Sequence, residues 1–353
     1  MFIYKHICDR IYNKELIVVK RLIIPEHYES KLNLLDTELA IKFVKDTFER
    51  DLADALNLTR VSAPLFVFPK TGLNDNLNGY ERRVNFDIKN IPDEVEIVQS
   101  LAKWKRNALQ RYGFVSHTGL YTDMNAIRRD EDLDTMHSAY VDQWDWEKII
   151  DRKDRTVDYL KNTVKTIYGV IRGLENKVSK KFPKLYHELP EEIHFITSQE
   201  LLDLYPNLEA SQREYEIAKK YKAVFIMQIG GKLSNGLPHD GRAADYDDWS
   251  LNGDIILYYD VLDIAFEVSS MGIRVDEKSI VSQIKDHNEE FKLGNPYVQD
   301  VINNRLPLTI GGGIGQSRLC MYMLRKAHVG EVQASVWSEE DLEKLAKANI
   351  VLL

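Results

Sequence analysis

Cysteine is nearly absent. Cys8 and Cys320 are the only two in 353 residues, too few and too far apart for a disulfide scaffold or a thiolate zinc site. A reducing, cytoplasmic setting fits. The nine histidines show no H-E-x-x-H or related ligand spacing, so none is assigned to a metal. No run approaches the roughly 18–20 uninterrupted apolar residues of a membrane span. The opening M-F-I-Y-K-H-I-C-D-R carries an acid and bases too early for a secretory signal. Positive charge is not in excess either. The formal net charge is −8, which argues against a protein living on nucleic acid, where a basic face is the expected footprint. Internal repeats, low-complexity segments and linkers rich in Pro, Gly or Ser are also missing. Residues 1–20 read as an N-terminal extension and residues 21–353 as one domain.

What is present is a core. Apolar residues make up 44% and charged residues 29%, the balance of a soluble globular protein. Leu39, Phe43, Val44, Phe48, Leu52 and Leu56 put one apolar face on a helix from about Thr37 to Leu56. A short strand and Pro64 follow. Residues 114–128 and 138–147 read as strands around the polar loop R-D-E-D-L-D-T-M-H. Val157, Leu160, Val164, Ile167, Ile171, Leu174 and Val178 repeat at steps of three and four across a helix over 155–181. Strands are expected at 222–231, 253–260 and 265–275, and a helix at 317–325. Turns and irregular segments, rather than crossover helices, separate most strands. The expected fold is therefore α+β, a largely antiparallel sheet flanked by helices.

Several stretches carry chemistry. T-I-G-G-G-I-G-Q-S-R, 309–318, is glycine-rich and ends in an arginine at a helix start. It lacks the Lys-Ser/Thr of a P-loop and the spacing of a dinucleotide fingerprint. In A-F-E-V-S-S-M-G-I-R-V, 265–275, a glutamate and an arginine interrupt an apolar strand. Strict alternation sends Glu267 and Arg274 to opposite faces, and a bulge at Ser269–Gly272 returns them to one. The plainer alternative is a structural ion pair. Asp254, at the start of the preceding strand, adds a second hard oxygen ligand of the kind Mg²⁺ uses beside a nucleotide. In V-D-Q-W-D-W, 141–146, Gln143 and Asp145 share one strand face and the two tryptophans the other. The first pair suits a substrate ammonium, or else a solvated face.

In Q-S-L-A-K-W-K-R, 99–106, Ser100 suits an N-cap, and Lys103 and Arg106 share a helix face, solvated by default. Ser100-x-x-Lys103 with Lys70-Thr71-Gly72 also matches a serine acyl-enzyme pattern, but the K-T-G lies on the wrong side and the signal such exported enzymes carry is missing. The acidic run D-Y-D-D-W, 245–249, fits either a metal cluster or a solvated loop. Asp87, Asp93 and Glu94 read as surface charge.

The order of these pieces resembles the catalytic core of class II aminoacyl-tRNA synthetases. Helix, strand and proline over 37–64 resemble that class's dimer-forming first motif, A-I-R-R-D-E (126–131) its second, and G-G-G-I-G-Q-S-R (311–318) its third. E-V-S-S-M-G-I-R-V is similar to a strand of the aspartyl and asparaginyl members. Longer stretches are similar to the ammonia-dependent asparagine synthetases, the aspartate–ammonia ligases: G-L-N-D-N-L-N-G (72–79), S-L-A-K-W-K-R, G-L-Y-T-D-M-N-A-I-R-x-D-E-D (119–132), V-D-Q-W-D-W-E, R-A-x-D-Y-D-D-W (242–249), L-N-G-D-I, S-S-M-G-I-R-V-D, T-I-G-G-G-I-G-Q-S-R-L and G-E-V-Q-A-S-V-W (330–337). The resemblance covers roughly residues 21–353. Departures are Gln99, where many members have histidine, Ala244 in place of a usual proline, and the first 20 residues.

The resemblance implies ATP-dependent amidation of L-aspartate by ammonia through a β-aspartyl-adenylate, releasing AMP and pyrophosphate. It implies ATP on Arg128, Glu131, Glu267, Gly313, Gly315 and Arg318, with Mg²⁺ on Asp254 and Glu267. Aspartate falls among Asp75, Ser100, Lys103, Gln143, Asp145, Ser270 and Arg274. Lys103 and Arg128 are the catalytic cations, and Asp247 and Asp75 are alternatives for accepting a proton from ammonium. A homodimer is expected, without nucleic acid or membrane. A tRNA synthetase core and a silent amino-acid sensor are the rivals. The first is opposed by the absence of an anticodon-binding segment, the second by the presence of Arg128, Asp254, Glu267 and Arg318 together.

Overall fold

The computed structural model describes residues 22–74, 77 and 81–353. The expected extension at 1–20, and Asp75, lie outside the described residues.

Eleven strands are present among the described residues: β1 (Leu58–Arg60), β2 (Phe66–Val67), β3 (Asn85–Ile88), β4 (Ile91–Ile97), β5 (Gly119–Ile127), β6 (Tyr140–Ile149), β7 (His194–Thr197), β8 (Ala223–Met227), β9 (Asp247–Tyr259), β10 (Ile264–Arg274) and β11 (Thr309–Gly315). Eight of them form one sheet in the order β1-β5-β6-β11-β10-β9-β8-β7, and β2-β4-β3 form a small second one. The large sheet is antiparallel through its middle and parallel only at its two edge pairs, β1 with β5 and β7 with β8. This is the expected α+β architecture, with parallel edges that the spacing of strands did not reveal.

One face of the sheet is packed by two long helices. The first is α1 (Leu34–Leu56), capped by Asn33, whose side-chain oxygen accepts from the Asp36 N–H at 2.8 Å. It buries Ile41, Val44, Phe48, Leu52 and Leu56. Leu39 does not join them. It is 59% exposed, because the buried stripe runs through Ala40 and Ile41 instead. On the opposite face a smaller helix, α2 (Ala102–Arg111), packs Ala108 and Leu109 against Leu120 of β5; it begins one residue later than expected, with Leu101 rather than Ser100 at its N-cap. The second helix of the α1 layer is α3 (Val157–Lys181), whose stripe Leu160, Val164, Ile167, Ile171, Leu174 and Val178 is almost wholly buried, as the periodicity predicts. The opposite face of the sheet is covered at its β7–β9 end by α4 (Ser198–Leu204) and α5 (Ala210–Tyr221), through Leu201, Ile217 and Ala218 against Val224, Ile226 and Ile256. Shorter helices α6 (Ser279–Asp286) and α7 (Pro296–Ile302) form a separate apolar cluster with Trp249 and Val275. Helix α8 (Gln316–Met323) follows β11 directly and packs on the α1 side. The chain closes with α9 (Glu339–Lys347).

Alternation decides what the middle of the sheet offers. Trp144 and Trp146 of β6 are fully buried in the core with α1 and α3, so Gln143, Asp145 and Glu147 point to the other face. In β10 the core residues are Phe266 and Val268, then Met271 and Ile273. The parity changes between the two pairs. Register shifts against β9 fall between Glu267 and Ser269 and between Gly272 and Arg274. This is the expected effect of a bulge: Glu267 and Arg274 emerge on the same face as Gln143 and Asp145. Asp254 sits in the middle of β9, opposite Ser270, and not at a strand start as expected.

Candidate active site

The uncovered middle of that face is a cleft of about 480 Å³, within the usual range for a small-molecule site. Ser100, Arg128, Glu131, Gln143, Asp145, Asp247, Glu267, Ser270, Arg274, Gly313, Gly315 and Arg318 all line it. The glycine run is its floor, strand β11, hydrogen-bonded on both sides between β6 and β10. A Cβ on Gly311 would collide with the Glu147 carboxylate, and one on Gly313 with the Gln143 amide. Glycine is required there because β6 side chains lie across the strand. Gly315 then forms the N-cap of α8, which carries Arg318.

At the base of the cleft is a buried charge network. Arg274 donates from Nε to both oxygens of Glu147, at 3.0 and 3.1 Å, and from a terminal nitrogen at 2.8 Å. Its other terminal nitrogen bonds Asp247. Burial alone would raise the Glu147 pKa, but Arg274 reverses this and holds it below the ordinary carboxylate value. For Asp247 burial prevails over Arg274, and its pKa is raised. Lys105 reaches Asp145 Oδ1 at 2.5 Å and the Gly312 carbonyl at 2.9 Å. The second Asp145 oxygen is buried without a hydrogen bond, so this end of the cleft holds acceptor capacity for a cationic ligand group.

At the other end, Arg128 lies 3.7 Å from Glu131, with its Nε buried and unbonded. Arg318 donates to the Glu267 carbonyl at 3.0 Å and lies 2.6 Å from His137 Nε2. His137 is oriented in turn by Asp134, 2.8 Å from its Nδ1. Two arginines thus face a common space rimmed by Glu131 and Glu267.

Two expected site residues are placed behind the wall instead of on it. Lys103 donates to Asp245 at 2.7 Å, and both are buried. Asp254 is 5% exposed and lies under Arg242, which bonds its Oδ2. The acidic run D-Y-D-D-W proves to be neither a metal cluster nor a solvated loop: Asp245, Asp247 and Asp248 are buried and paired with Lys103, Arg274 and Arg155. Lys105, Glu147, His137 and Arg242 also belong to the site, although none is among the residues expected there from the sequence. Glu147 was accessible, since it continues the Gln143–Asp145 alternation. The others depend on contacts between distant segments.

Asp254 and Glu267 are compatible with a divalent cation. Asp254 Oδ1 is buried and makes no hydrogen bond. The neighbouring Ser270 hydroxyl favours the charged form. Burial is the largest influence raising the Asp254 pKa, and the like charge of Glu267 adds to it. Two close carboxylates with an unused hard oxygen are a donor set that a dication relieves. Among the described residues, the one group of three potential ligands is His117, Asp151 and Asp154, none of which lines the cleft.

Among solved structures, asparaginyl-tRNA synthetase from Pyrococcus horikoshii complexed with asparaginyl-adenylate superposes with a TM-score of 0.64 at 14% identity, over 86% of this chain and 70% of that one. The Entamoeba histolytica asparaginyl-tRNA synthetase in complex with asparaginyl-adenylate gives 0.62 at 13%, over 87% and 68%. At such identities the likeness is one of fold, that of class II synthetases. Sequence relatives are much nearer. A protein from Ruminiclostridium cellulolyticum named aspartate–ammonia ligase is 59% identical over 94% of this chain and 99% of its own length. One of the same name from Fusobacterium nucleatum is 60% identical over 92% and 99%. The family model described as aspartate-ammonia ligase matches residues 35–349. The chain belongs to the aspartate–ammonia ligase family.

Proposed function

We propose that this chain is an aspartate–ammonia ligase that makes L-asparagine from L-aspartate, ammonia and ATP, releasing AMP and pyrophosphate. The observation that carries the reading is the division of one cleft into two ends. One is built from Lys105, Asp145, Gln143 and Arg274, the other from Arg128 and Arg318.

In this reading Gln143 and the free oxygen of Asp145 receive the ammonium of aspartate, together with Asp75. Lys105, Arg274 and Ser100 hold its carboxylates, and Ser270 lines the same end. Arg128 and Arg318 hold the triphosphate beside Glu131, over Gly313 and Gly315, since a guanidinium fork suits phosphate oxygens. Lys103 acts from behind by fixing Asp245. A β-carboxylate oxygen attacks the α-phosphorus, the α–β phosphoanhydride breaks, and pyrophosphate leaves. Ammonia then attacks the acyl carbon and AMP departs. Asp247 or Asp75 takes the proton that ammonium must lose, and a raised pKa suits Asp247 to that task. Mg²⁺ bound by Asp254 and Glu267 would neutralise phosphate charge and favour the pyrophosphate leaving group.

No protein nucleophile is needed. Cys320 is fully buried, and burial pushes its thiol up to about 12, so it supplies none. The residues do their work by positioning and charge balance. The same reading takes residues 21–353 as one catalytic unit working as a cytoplasmic homodimer, away from nucleic acid. Among the described residues no helix is long and apolar enough to cross a membrane.

The test is product analysis with Mg-ATP, aspartate and ammonium chloride, each omitted in turn. AMP and asparagine should form together and only in the full mixture. AMP formation that depends on tRNA would favour a synthetase, and no turnover by folded protein would favour a sensor.

A further inference from the structure

Arg242 is the unexplained residue of the site. It lies on the loop between β8 and β9, its side chain is only 12% exposed, and it lines the cleft. Its guanidinium bonds Asp254 Oδ2, Asp240 Oδ2 at 2.6 Å and the Gly241 carbonyl at 2.8 Å. Asp254, Asp240 and Glu267 are the carboxylates that act on it. Arg242 is therefore already bonded to Asp254, one of the two carboxylates assigned to the metal. Arg318, bonded to the Glu267 carbonyl, supplies a second positive charge beside them.

Asp254 is buried, so a guanidinium and a dication compete for its carboxylate, because their mutual repulsion is large at low effective dielectric. Loss of Arg242 without replacement is equally unfavourable, since Asp254 would remain as a buried uncompensated charge. The two cations are thus alternatives. An incoming triphosphate changes the balance by offering Arg242 new anionic partners while bringing the metal with it.

We propose that Arg242 is the resting counter-ion of Asp254, and that it must give up this carboxylate before a divalent cation binds there. In nucleotide-free protein it keeps the metal out. With nucleotide present it exchanges its carboxylate for phosphate and admits the metal. Arg242 is in this sense a positioning residue that couples metal entry to nucleotide entry, and the inference rests on the metal assignment made above.

Manganese is the probe, with free Mn²⁺ measured by electron paramagnetic resonance in the absence of substrates. Wild-type protein should bind it weakly. Arg242→Gln and Arg242→Met, read in parallel so that a folding defect in one does not decide the matter, should bind it at least tenfold more tightly. Arg242→Lys should stay near wild type, because it keeps the charge. Adding Asp254→Asn to Arg242→Gln should abolish the gain. Folded Arg242→Gln or Arg242→Met that binds manganese no more tightly than wild type overturns the proposal. If, after that negative result, Asp254→Asn weakens binding measured with a non-hydrolysable ATP analogue, only the exchange falls and the metal assignment stands. If tight binding in Arg242→Gln survives Asp254→Asn, both fall.

Discussion

Arg274 of β10 and Glu147 of β6 meet across the intervening strand β11, with three nitrogen–oxygen distances of 2.8, 3.0 and 3.1 Å. The contact exists because β11 carries glycine at position 311, where any Cβ would collide with the Glu147 carboxylate. Both side chains are buried, Glu147 completely. Removing one partner leaves a buried charge. Glu147→Ala should therefore destabilise the fold by about 3–5 kcal/mol, read as a lower urea midpoint. Glu147→Gln should lose less, because it can still accept from the guanidinium. Equal stability of Glu147→Ala and wild type would show that the network is dispensable.

Lys103 and Lys105 separate stability from substrate handling. Lys105 faces the cleft, so Lys105→Met should lower kcat/KM at least about a hundredfold, equivalent to about 2.7 kcal/mol. Lys103 holds buried Asp245. Lys103→Met should mainly destabilise the protein, by about 3–5 kcal/mol. Steady-state kinetics and denaturation on both variants check the split. A reversed pattern would return Lys103 to the substrate.

His328 gives stability a pH dependence. It is buried, its Nδ1 accepts the Gly330 N–H at 3.0 Å, and burial depresses its pKa to about 4. The unfolded histidine titrates near 6.5. Between those values the unfolded chain binds the extra proton. The stability is present above about 6.5 and is lost as pH falls toward 4, an effect of about 1–3 kcal/mol. Urea unfolding at pH 7.5 and pH 5 should show a smaller difference in His328→Gln than in wild type. An unchanged difference would assign the effect to other groups.

Exposed leucines mark the proposed dimer face. Leu34, Leu35 and Leu39 of α1 are 48, 70 and 59% exposed, and a neighbouring apolar cluster of this kind suits an interface. Light scattering should give twice the chain mass of 41.0 kDa. Leu35→Asp with Leu39→Asp should shift it toward one chain mass. A dimer that persists in the double variant would place the interface elsewhere.

The features legible in the sequence are those set by local period. The stripe of α3 and the Gln143–Asp145 alternation follow from side-chain geometry alone, and the bulge in β10 follows from the conflict between alternation and two polar residues. Short elements such as β2, β3 and β7 lack enough residues to show a period. Helix α2 fails for another reason. Lys103, Lys105 and Arg106 are all buried, directed to Asp245, to Asp145, and to the carbonyls of Val275 and Pro307. A helical wheel assigns such residues to solvent, because their partners come from distant parts of the chain. Arg242 was hidden in the same way.

The central claim is that the β-carboxylate of aspartate attacks the α-phosphorus of ATP. The direct measurement uses aspartate labelled with ¹⁸O in that carboxylate, with ammonium and Mg-ATP, and mass analysis of the products. The adenylate route predicts one labelled oxygen in the phosphate of AMP and none in pyrophosphate. Label in inorganic phosphate, with ADP as the nucleotide product, would mean an acyl-phosphate and contradict the account.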